Sequence, residues 1–171
     1  MLLPTLLAIA SLSGDADLTD RQRFGTVIST DAIIRCSSTS PWDEPERHLA
    51  LVGAGHEPFA FHTAEEDRPW VQIDLGEVRA VTGIAIRNRT DANGSRTTAL
   101  AIAVSRDGRA WNEITTVEGP AERWSVSLLD EKDAARDARF VRLTLPSKGF
   151  LHLSQVQVYG KAARRSGGGG R

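Results

Sequence analysis

The spacing of apolar residues is the feature that most restricts how this chain can fold. From Trp70 the run WVQIDL places apolar side chains at alternate positions, and the run LAIAVS from Leu100 repeats the pattern. A period of two puts successive side chains on opposite faces of a strand, so both segments are predicted to be half-buried strands. Because no segment carries a sustained apolar stripe at helical spacing, the chain is predicted to be built from strands.

Turn signals and breaks in the alternation separate these strands. Ser-Arg-Asp-Gly at 105–108 predicts the turn of a hairpin. Leu153 and Val156 differ in parity, which predicts a bulge near Ser154 in the last strand. Residues 130–137 are predicted to form one helical turn or a solvated loop. About eight short strands joined in this way indicate an all-β fold, an antiparallel jelly-roll sandwich.

The domain is predicted to occupy residues 21–160, because both ends differ from it in composition. Residues 1–20 contain a short apolar run and small residues, which indicates a signal peptide or a disordered leader, with an apolar first strand as the alternative. That run is far shorter than the ~20 residues of a membrane span. Residues 161–171 are polar and glycine-rich, so a flexible tail is predicted. A signal peptide would place the protein outside the cell or in the cell envelope.

Composition and motifs exclude several classes of function. Lys and Arg total 21 against 22 Asp and Glu, so no positive excess favours nucleic acid or an anionic membrane surface. The single Cys36 excludes an intrachain disulfide and a multi-cysteine zinc site. His48, His56 and His62 are not spaced as metal ligands on one helical face. The motifs of serine hydrolases, zinc proteases and dinucleotide-binding folds are missing, so the domain is predicted not to be an enzyme.

Positive charge is concentrated in one turn between predicted strands, RNRTDANGSR at 87–96. An arginine guanidinium donates several N–H groups in one plane, which suits neighbouring sugar hydroxyls or a carboxylate. Asp91 stands between Arg89 and Arg96, where it is expected to orient both and relieve their repulsion. The turn is therefore either a ligand site or a surface salt bridge that stabilises the loop by at most ~1 kcal/mol.

The order of these segments resembles the discoidin family, also called coagulation factor 5/8 type C domains, among the galactose-binding-like jelly rolls. The resemblance covers about residues 28 to 160. Its matching elements are WVQIDLG from Trp70, VTGIAI from Val81, VSRDG from Val104, FVRL from Phe140 and VQVYG from Val156.

Within this superfamily the sequence is most similar to the F-type lectins, or fucolectins. Their sugar-binding signature is a histidine, then about two dozen residues, then Arg-x-Asp-x-x-x-x-Arg or Lys. Here His62 is followed by 26 residues and then by Arg89, Asp91 and Arg96 in that register. The resemblance implies that His62, Arg89 and Arg96 hydrogen-bond a fucose- or galactose-type sugar, while Asp91 orients the arginines. It implies a non-catalytic carbohydrate-binding module with glycan or glycoprotein partners, acting alone or as an accessory to a larger glycan-active protein.

This chain departs from the fucolectin pattern beside the sugar. Fucolectins place two adjacent cysteines after the aspartate to pack against the sugar, whereas Ala92 and Asn93 stand here. An apolar contact must then come from elsewhere, and aromatic rings stack on the C–H faces of sugars. The candidates are Phe59, Phe61 and Trp42, which are equally compatible with roles as core residues or loop anchors.

The family's structural calcium loop is also altered. It carries an Asp-Gly pair ahead of the histidine and a glutamate before the last strand, and Val52-Gly53 and Gln155 stand at those places. Calcium prefers several oxygen ligands that include carboxylates, so weak or absent calcium binding is predicted, with no other cofactor. The acidic residues at 43–46 offer a second set of oxygens, for which a solvated loop is the simpler interpretation.

A second hypothesis is a discoidin domain for protein–protein or cell-surface adhesion, in which Arg89, Asp91 and Arg96 form only an internal salt bridge. Exposure separates the two hypotheses. A lectin requires both arginines and His62 to point donors into one open pocket, whereas the structural role requires Asp91 to saturate the arginines. Membrane binding is the weakest option, because only the loop at 55–61 offers apolar residues beside polar ones.

Overall fold

The computed structural model describes residues 12–161. Most of the predicted leader, up to residue 11, and the glycine-rich tail from residue 162 lie outside the described residues. Neither of the two α-helices in the described range is long and apolar enough to cross a membrane.

Strands dominate the described chain, and every strand pairing within it is antiparallel. The predicted all-β antiparallel fold is therefore confirmed. In chain order the elements are α1 (Leu12–Phe24), β1 (Thr26–Val27), β2 (Ile33–Cys36), a 3-10 turn (Pro45–Arg47), α2 (His48–Val52), β3 (Phe61–His62), β4 (Glu66–Asp67), β5 (Trp70–Asn88), a second 3-10 turn (Ala92–Arg96), β6 (Ala99–Ser105), β7 (Asn112–Glu118), β8 (Arg123–Ser127), β9 (Arg136–Thr144), β10 (Lys148–Gly149) and β11 (His152–Gly160).

Strand β5 belongs to both layers of the sandwich. Its residues 70–74 pair with β2 and β9, and its residues 83–87 pair with β8 and β11. One layer has the order β2-β5-β9-β6-β7, and the other has the order β8-β5-β11 with β1 and β3 beside β11. The sequence predicts two separate strands here. A bulge between Asp74 and Arg79 joins them, with Gly76 in the left-handed backbone region at φ +82.

The inner faces of the two layers share one hydrophobic core. Val71 and Ile73 from the first half of β5 pack in the same buried cluster as Ile84 and Ile86 from its second half. Each fully buried side chain of this size stabilises the fold by roughly 1.5–3 kcal/mol. The alternation in the sequence therefore indicated the buried face of each strand correctly.

The predicted local features are present. Strands β6 and β7 form the predicted hairpin, and the pairing of β11 with β5 shifts register between Leu153 and Gln155. Residues 130–135 form a loop rather than a helical turn, and residues 136–137 begin β9. The carboxylate of Asp130 accepts from the backbone N–H groups of Lys132 and Ala134, at 2.8 and 2.9 Å, and closes this loop.

Helix α1 was not predicted, and it moves the start of the folded unit to before residue 21. Asp20 is buried and accepts a hydrogen bond from Arg123 of β8. Phe24 packs against Tyr159 on the outer face of β5 and β11, where Gly83 leaves room for its ring. Residues 12–20 are therefore helical, and the assignment of 1–20 as a leader stays a prediction. The sequence does not indicate this helix, because its contacts through Asp20 and Phe24 do not require the repeated apolar residues by which an amphipathic helix is identified.

Candidate functional site

A buried amide holds the arginine-rich turn that follows β5. Asn88 donates from Nδ2 to the carbonyl oxygens of Gly94 and Ala121, both at 2.9 Å. Its Oδ1 accepts from the backbone N–H of Arg89 at 2.8 Å. Because Asn88 is buried and bonds to both ends of the turn, it fixes where the turn leaves the sheet.

The interior of the turn is tightly packed. A Cβ added at Gly94 would overlap the carbonyl oxygen of Arg89, so only glycine fits there without a shift. Asp91 begins the second 3-10 turn and accepts a capping hydrogen bond from the backbone N–H of Asn93 at 2.9 Å. The first contact limits how far the backbone of Arg89 can move, and the second holds the Asp91 carboxylate in place.

Arg89 and Asp91 form a bidentate ion pair. Arg89 donates from Nε to Oδ1 at 2.6 Å and from Nη2 to Oδ2 at 2.7 Å. Hydrogen bonds from Arg89, and then from the backbone of Asn93, lower the pKa of the Asp91 carboxyl to about 2. The guanidinium also lies over the Phe59 ring at 4.6 Å, and its side chain is only 10 % exposed. Arg89 Nη1 bonds to no other residue in the described part of the chain, so one donor group is left for a ligand.

Arg96 is not held in the same way. Its side chain is exposed, and within residues 17–161 it forms no ion pair with Asp91 or any other acid. Its Cζ lies over the Phe150 ring, 5.8 Å from the ring centroid. The expectation that Asp91 orients both arginines is therefore wrong for Arg96. The same geometry contradicts a closed Arg-Asp-Arg salt bridge, because Arg89 is the only described arginine that pairs with this carboxylate.

His62 is neutral and oriented. Its Nδ1 lies 2.8 Å from the carbonyl oxygen of Thr63, which can only accept, so Nδ1 carries the proton and Nε2 is an acceptor. Burial lowers the pKa of His62 below its ordinary value, and the charges of Arg89 and Arg96 lower it further against the opposing effect of Thr63. The ring therefore offers a ligand an acceptor at neutral pH.

Four rings surround His62. Phe59 and His152 lie at 5.1 Å between centroids, Phe150 at 5.4 Å and Trp42 at 5.5 Å. Trp42 is 60 % exposed, whereas Phe59 is buried beneath Arg89 and His62. Trp42 therefore offers the open apolar surface of the cluster, and Phe59 supports the polar groups from below.

The prediction of Phe61 as an apolar sugar contact is not supported by this geometry. Phe61 is 0 % exposed and lies in the hydrophobic core. It precedes His62 on β3, and successive strand side chains point to opposite faces. Phe150 was missed by the sequence analysis, because nothing in its local sequence indicates that it lies beside His62.

Asp43 ties the Trp42 loop to β3. Its Oδ1 accepts from the backbone N–H of His62 at 2.8 Å, and both carboxylate oxygens lie within 3.0 Å of His48 Nε2. The Asp43 side chain is buried, so the interpretation of 43–46 as a solvated loop is wrong at this position. The carboxylate instead fixes where Trp42 stands relative to His62.

The residues present do not fit a structural calcium ion. Gln155 Nε2 donates to the carbonyl oxygen of Gly53 at 2.7 Å, and the backbone N–H of His56 donates to the carbonyl of Ser154 at 3.0 Å. An amide N–H stands where calcium would need an oxygen. Among the described residues no group of three His, Cys, Asp or Glu side chains could hold a metal ion.

A cavity of about 650 Å³ opens beside the turn. Neither His62 nor Arg96 is among its lining residues, so the structure does not bring both arginines and His62 into this one pocket. Arg89 lies between the two regions, because it lines the cavity and also stacks on Phe59 next to His62. The charged residues that line the cavity are Glu57, Arg87, Arg89, Asp91, Glu122 and Arg123.

Comparisons with known proteins agree with this architecture. A family model of the F5/8 type C domain matches residues 33–156. Fucolectin-6 of Anguilla japonica is 27 % identical over 177 aligned positions, which cover 92 % of this chain and 88 % of that protein. A Streptococcus pneumoniae fucose binding module, SpX-3, superposes with a TM-score of 0.65 at 24 % identity, over 80 % of this chain and 99 % of that one.

The family 32 carbohydrate-binding module of C. perfringens NanJ, solved in complex with galactose, gives a TM-score of 0.63 at 19 % identity, over 78 % of this chain and 98 % of that one. At these identities the two solved structures show a shared fold. The resemblance to discoidin domains and F-type lectins is confirmed. Because the family model spans most of the described sandwich, this chain belongs to the F5/8 type C domain family.

Proposed function

We propose that the domain is a non-catalytic carbohydrate-binding module that holds a fucose- or galactose-type sugar against His62, Arg89 and Arg96. The observation that carries the proposal is that a neutral acceptor lies near a fixed donor. His62 Nε2 bonds to no other described residue, and Arg89 is held by Asp91 while its Nη1 stays unbonded.

Sugar hydroxyls match this arrangement. A hydroxyl donates one hydrogen and accepts through two lone pairs, so it can donate to His62 Nε2 while accepting from an arginine. Because His62 is 3 % exposed, it offers a sugar only the edge of its ring. Arg96 is exposed and unpaired with any described acid, so it is free to turn its fork toward a second hydroxyl or the ring oxygen.

Trp42 supplies the apolar contact that the missing cysteine pair would have made. Its ring is 60 % exposed and 5.5 Å from the His62 ring, and the Asp43 carboxylate anchors its loop. An aromatic face next to hydrogen-bonding groups is the usual arrangement for binding a sugar through its C–H face.

The relatives support the same class of function. One is named a fucolectin, one a fucose binding module, and one is a carbohydrate-binding module in complex with galactose. We extend this by proposing glycans or glycoproteins as partners and a location outside the cell or in the cell envelope. A role as the accessory of a larger glycan-active protein is part of the same proposal.

Binding to a glycan array tests the proposal, with Arg96→Ala as the site variant. The matched control is Arg79→Ala, another exposed arginine, eight residues before Arg87 on β5 and paired with Glu77. We expect fucosylated or galactosylated glycans to bind the wild type and the control but not Arg96→Ala. No glycan bound by the folded wild type would overturn the proposal.

Adhesion through a protein partner is the second candidate function. It is favoured by one observation, that the Arg89 fork is already occupied by Asp91. The array separates the two, because a protein-binding discoidin domain would leave every glycan unbound.

A further inference from the structure

We propose that the cavity beside the turn is a second subsite, which holds the hexose to which the terminal sugar is linked. The proposal rests on the sugar site proposed above. We call this space the Arg87 cavity, after the half-buried arginine of β5 that lines it together with Arg89, Asp91 and Arg123.

Size and position fit one more sugar residue. The volume of about 650 Å³ lies within the roughly 300–1,000 Å³ of small-molecule sites. Arg89 and Asp91 line the cavity and also belong to the proposed sugar site. A glycan that places its terminal residue against His62 and Arg89 can therefore continue into the cavity past the same ion pair.

Of the three arginines that line the cavity, Arg87 is the one whose side chain has no partner among the described residues. It stands opposite Arg123 in the pairing of β5 with β8, so two like charges face each other across the strands. Asp20 of α1 pairs with Arg123, but the side chain of Arg87 forms no hydrogen bond or ion pair with a described residue. Its planar fork is thus available to neighbouring hydroxyl oxygens.

The charge balance of the cavity favours a neutral sugar over an anion. Glu57 and Glu122 are exposed at its edge and would repel a carboxylate or sulfate, yet each can accept from a hydroxyl. Asp91, also exposed, has lone pairs on the side away from Arg89. Donors from Arg87 and acceptors from these carboxylates together match the hydroxyl groups of a neutral hexose.

Titration calorimetry with methyl α-L-fucoside, methyl β-D-galactoside and neutral disaccharides that end in fucose or galactose tests the subsite. We expect at least one linkage to bind about tenfold more tightly than its terminal monosaccharide. Arg87→Ala should remove that gain and leave the monosaccharide affinity within about twofold of the wild type. Glu122→Ala, at an exposed position, should reduce the gain without affecting the fold, and Arg79→Ala is the control.

The outcomes separate the two proposals. Monosaccharide binding with no gain for any linkage would overturn the subsite and leave the proposed function standing. An equal loss of monosaccharide and disaccharide affinity in Arg87→Ala would overturn it too, because Arg87 would then act on the terminal sugar or on the fold. Absence of any sugar binding would overturn the proposed function and the subsite with it. A gain that grows for sialylated or sulfated ligands would contradict the assignment of a neutral hexose.

Discussion

Arg89 donates from both Nε and Nη2 to the carboxylate of Asp91, at 2.6 and 2.7 Å. Arg96, seven residues further along the chain, has no acidic partner among the described residues. The two arginines of the motif therefore have different mechanical roles. One is fixed before a ligand arrives, and the other is free to close on it.

This difference gives an expectation for stability. Arg89→Ala should lower the free energy of unfolding by about 1 kcal/mol, because it removes the ion pair and the contact with Phe59. Arg96→Ala should change it by less than ~0.5 kcal/mol, because the side chain is exposed. Urea unfolding of both variants measures the difference, and equal losses would contradict the distinct roles.

Gly94→Ala should damage the turn from inside. The new Cβ would overlap the Arg89 carbonyl oxygen, so the backbone must move, at a cost of roughly 1–3 kcal/mol. We expect a lower Tm together with weaker glycan binding, because Arg89 is displaced. Thr98→Ala, at an exposed position just after the turn, is the control. Unchanged binding and stability in Gly94→Ala would contradict this prediction, because they would show that the backbone of the turn can shift at little cost.

Removal of calcium should leave the domain unchanged. Gln155 bridges to the Gly53 carbonyl without an ion, so thermal unfolding should give the same Tm in EDTA and in calcium chloride. Gln155→Ala should lower the free energy of unfolding by about 1 kcal/mol in either buffer, since it removes a largely buried hydrogen bond. A Tm that rises with calcium would refute this account of the loop.

His152 should make the fold sensitive to mild acid. Burial lowers its pKa from 6.5 to about 4, so the unfolded chain takes up a proton at a higher pH than the folded chain. The contribution of neutral His152 to the free energy of unfolding is therefore fully present above pH 6.5. About 3 kcal/mol of it is lost as the pH drops toward 4. His62, whose pKa is also lowered, adds a loss of the same sign.

Unfolding curves of the wild type and His152→Leu between pH 7.5 and 4.5 measure this effect. In that range the Asp91 carboxyl, with a pKa of about 2, stays ionised and does not contribute. We expect the variant to lose most of the acid sensitivity and to be no less stable at pH 7.5. Neither ring nitrogen of His152 has a described partner, so little hydrogen bonding is given up. If the free energy of unfolding of His152→Leu depended on pH as steeply as that of the wild type, other groups would be responsible for the acid sensitivity.

Local sequence was sufficient for much of the fold. Alternation gave the strands, and the parity change between Leu153 and Val156 gave the bulge in β11. The strands and the bulge depend on residues that are close together in the sequence, so local sequence patterns are enough to predict them. The spacing of His62 and Arg89 also indicated residues that the structure brings to one place, since both contact the Phe59 ring.

The parts that escaped prediction depend on distant contacts. Helix α1 is held by the pair between Asp20 and Arg123, which lie 103 positions apart. The role of Asn88 depends on the carbonyl of Ala121, 33 positions away. Phe61 was placed in the site because it is aromatic and close to His62, but strand geometry sends it to the core.

The passage of β5 through both layers has a consequence for ligand affinity. The arginine turn begins at Asn88, the last residue of a strand that is hydrogen-bonded to neighbours in each sheet. A site mounted on such a strand has little backbone freedom to lose when a ligand arrives, so the entropic penalty of binding falls mainly on the Arg96 side chain and on the glycan itself.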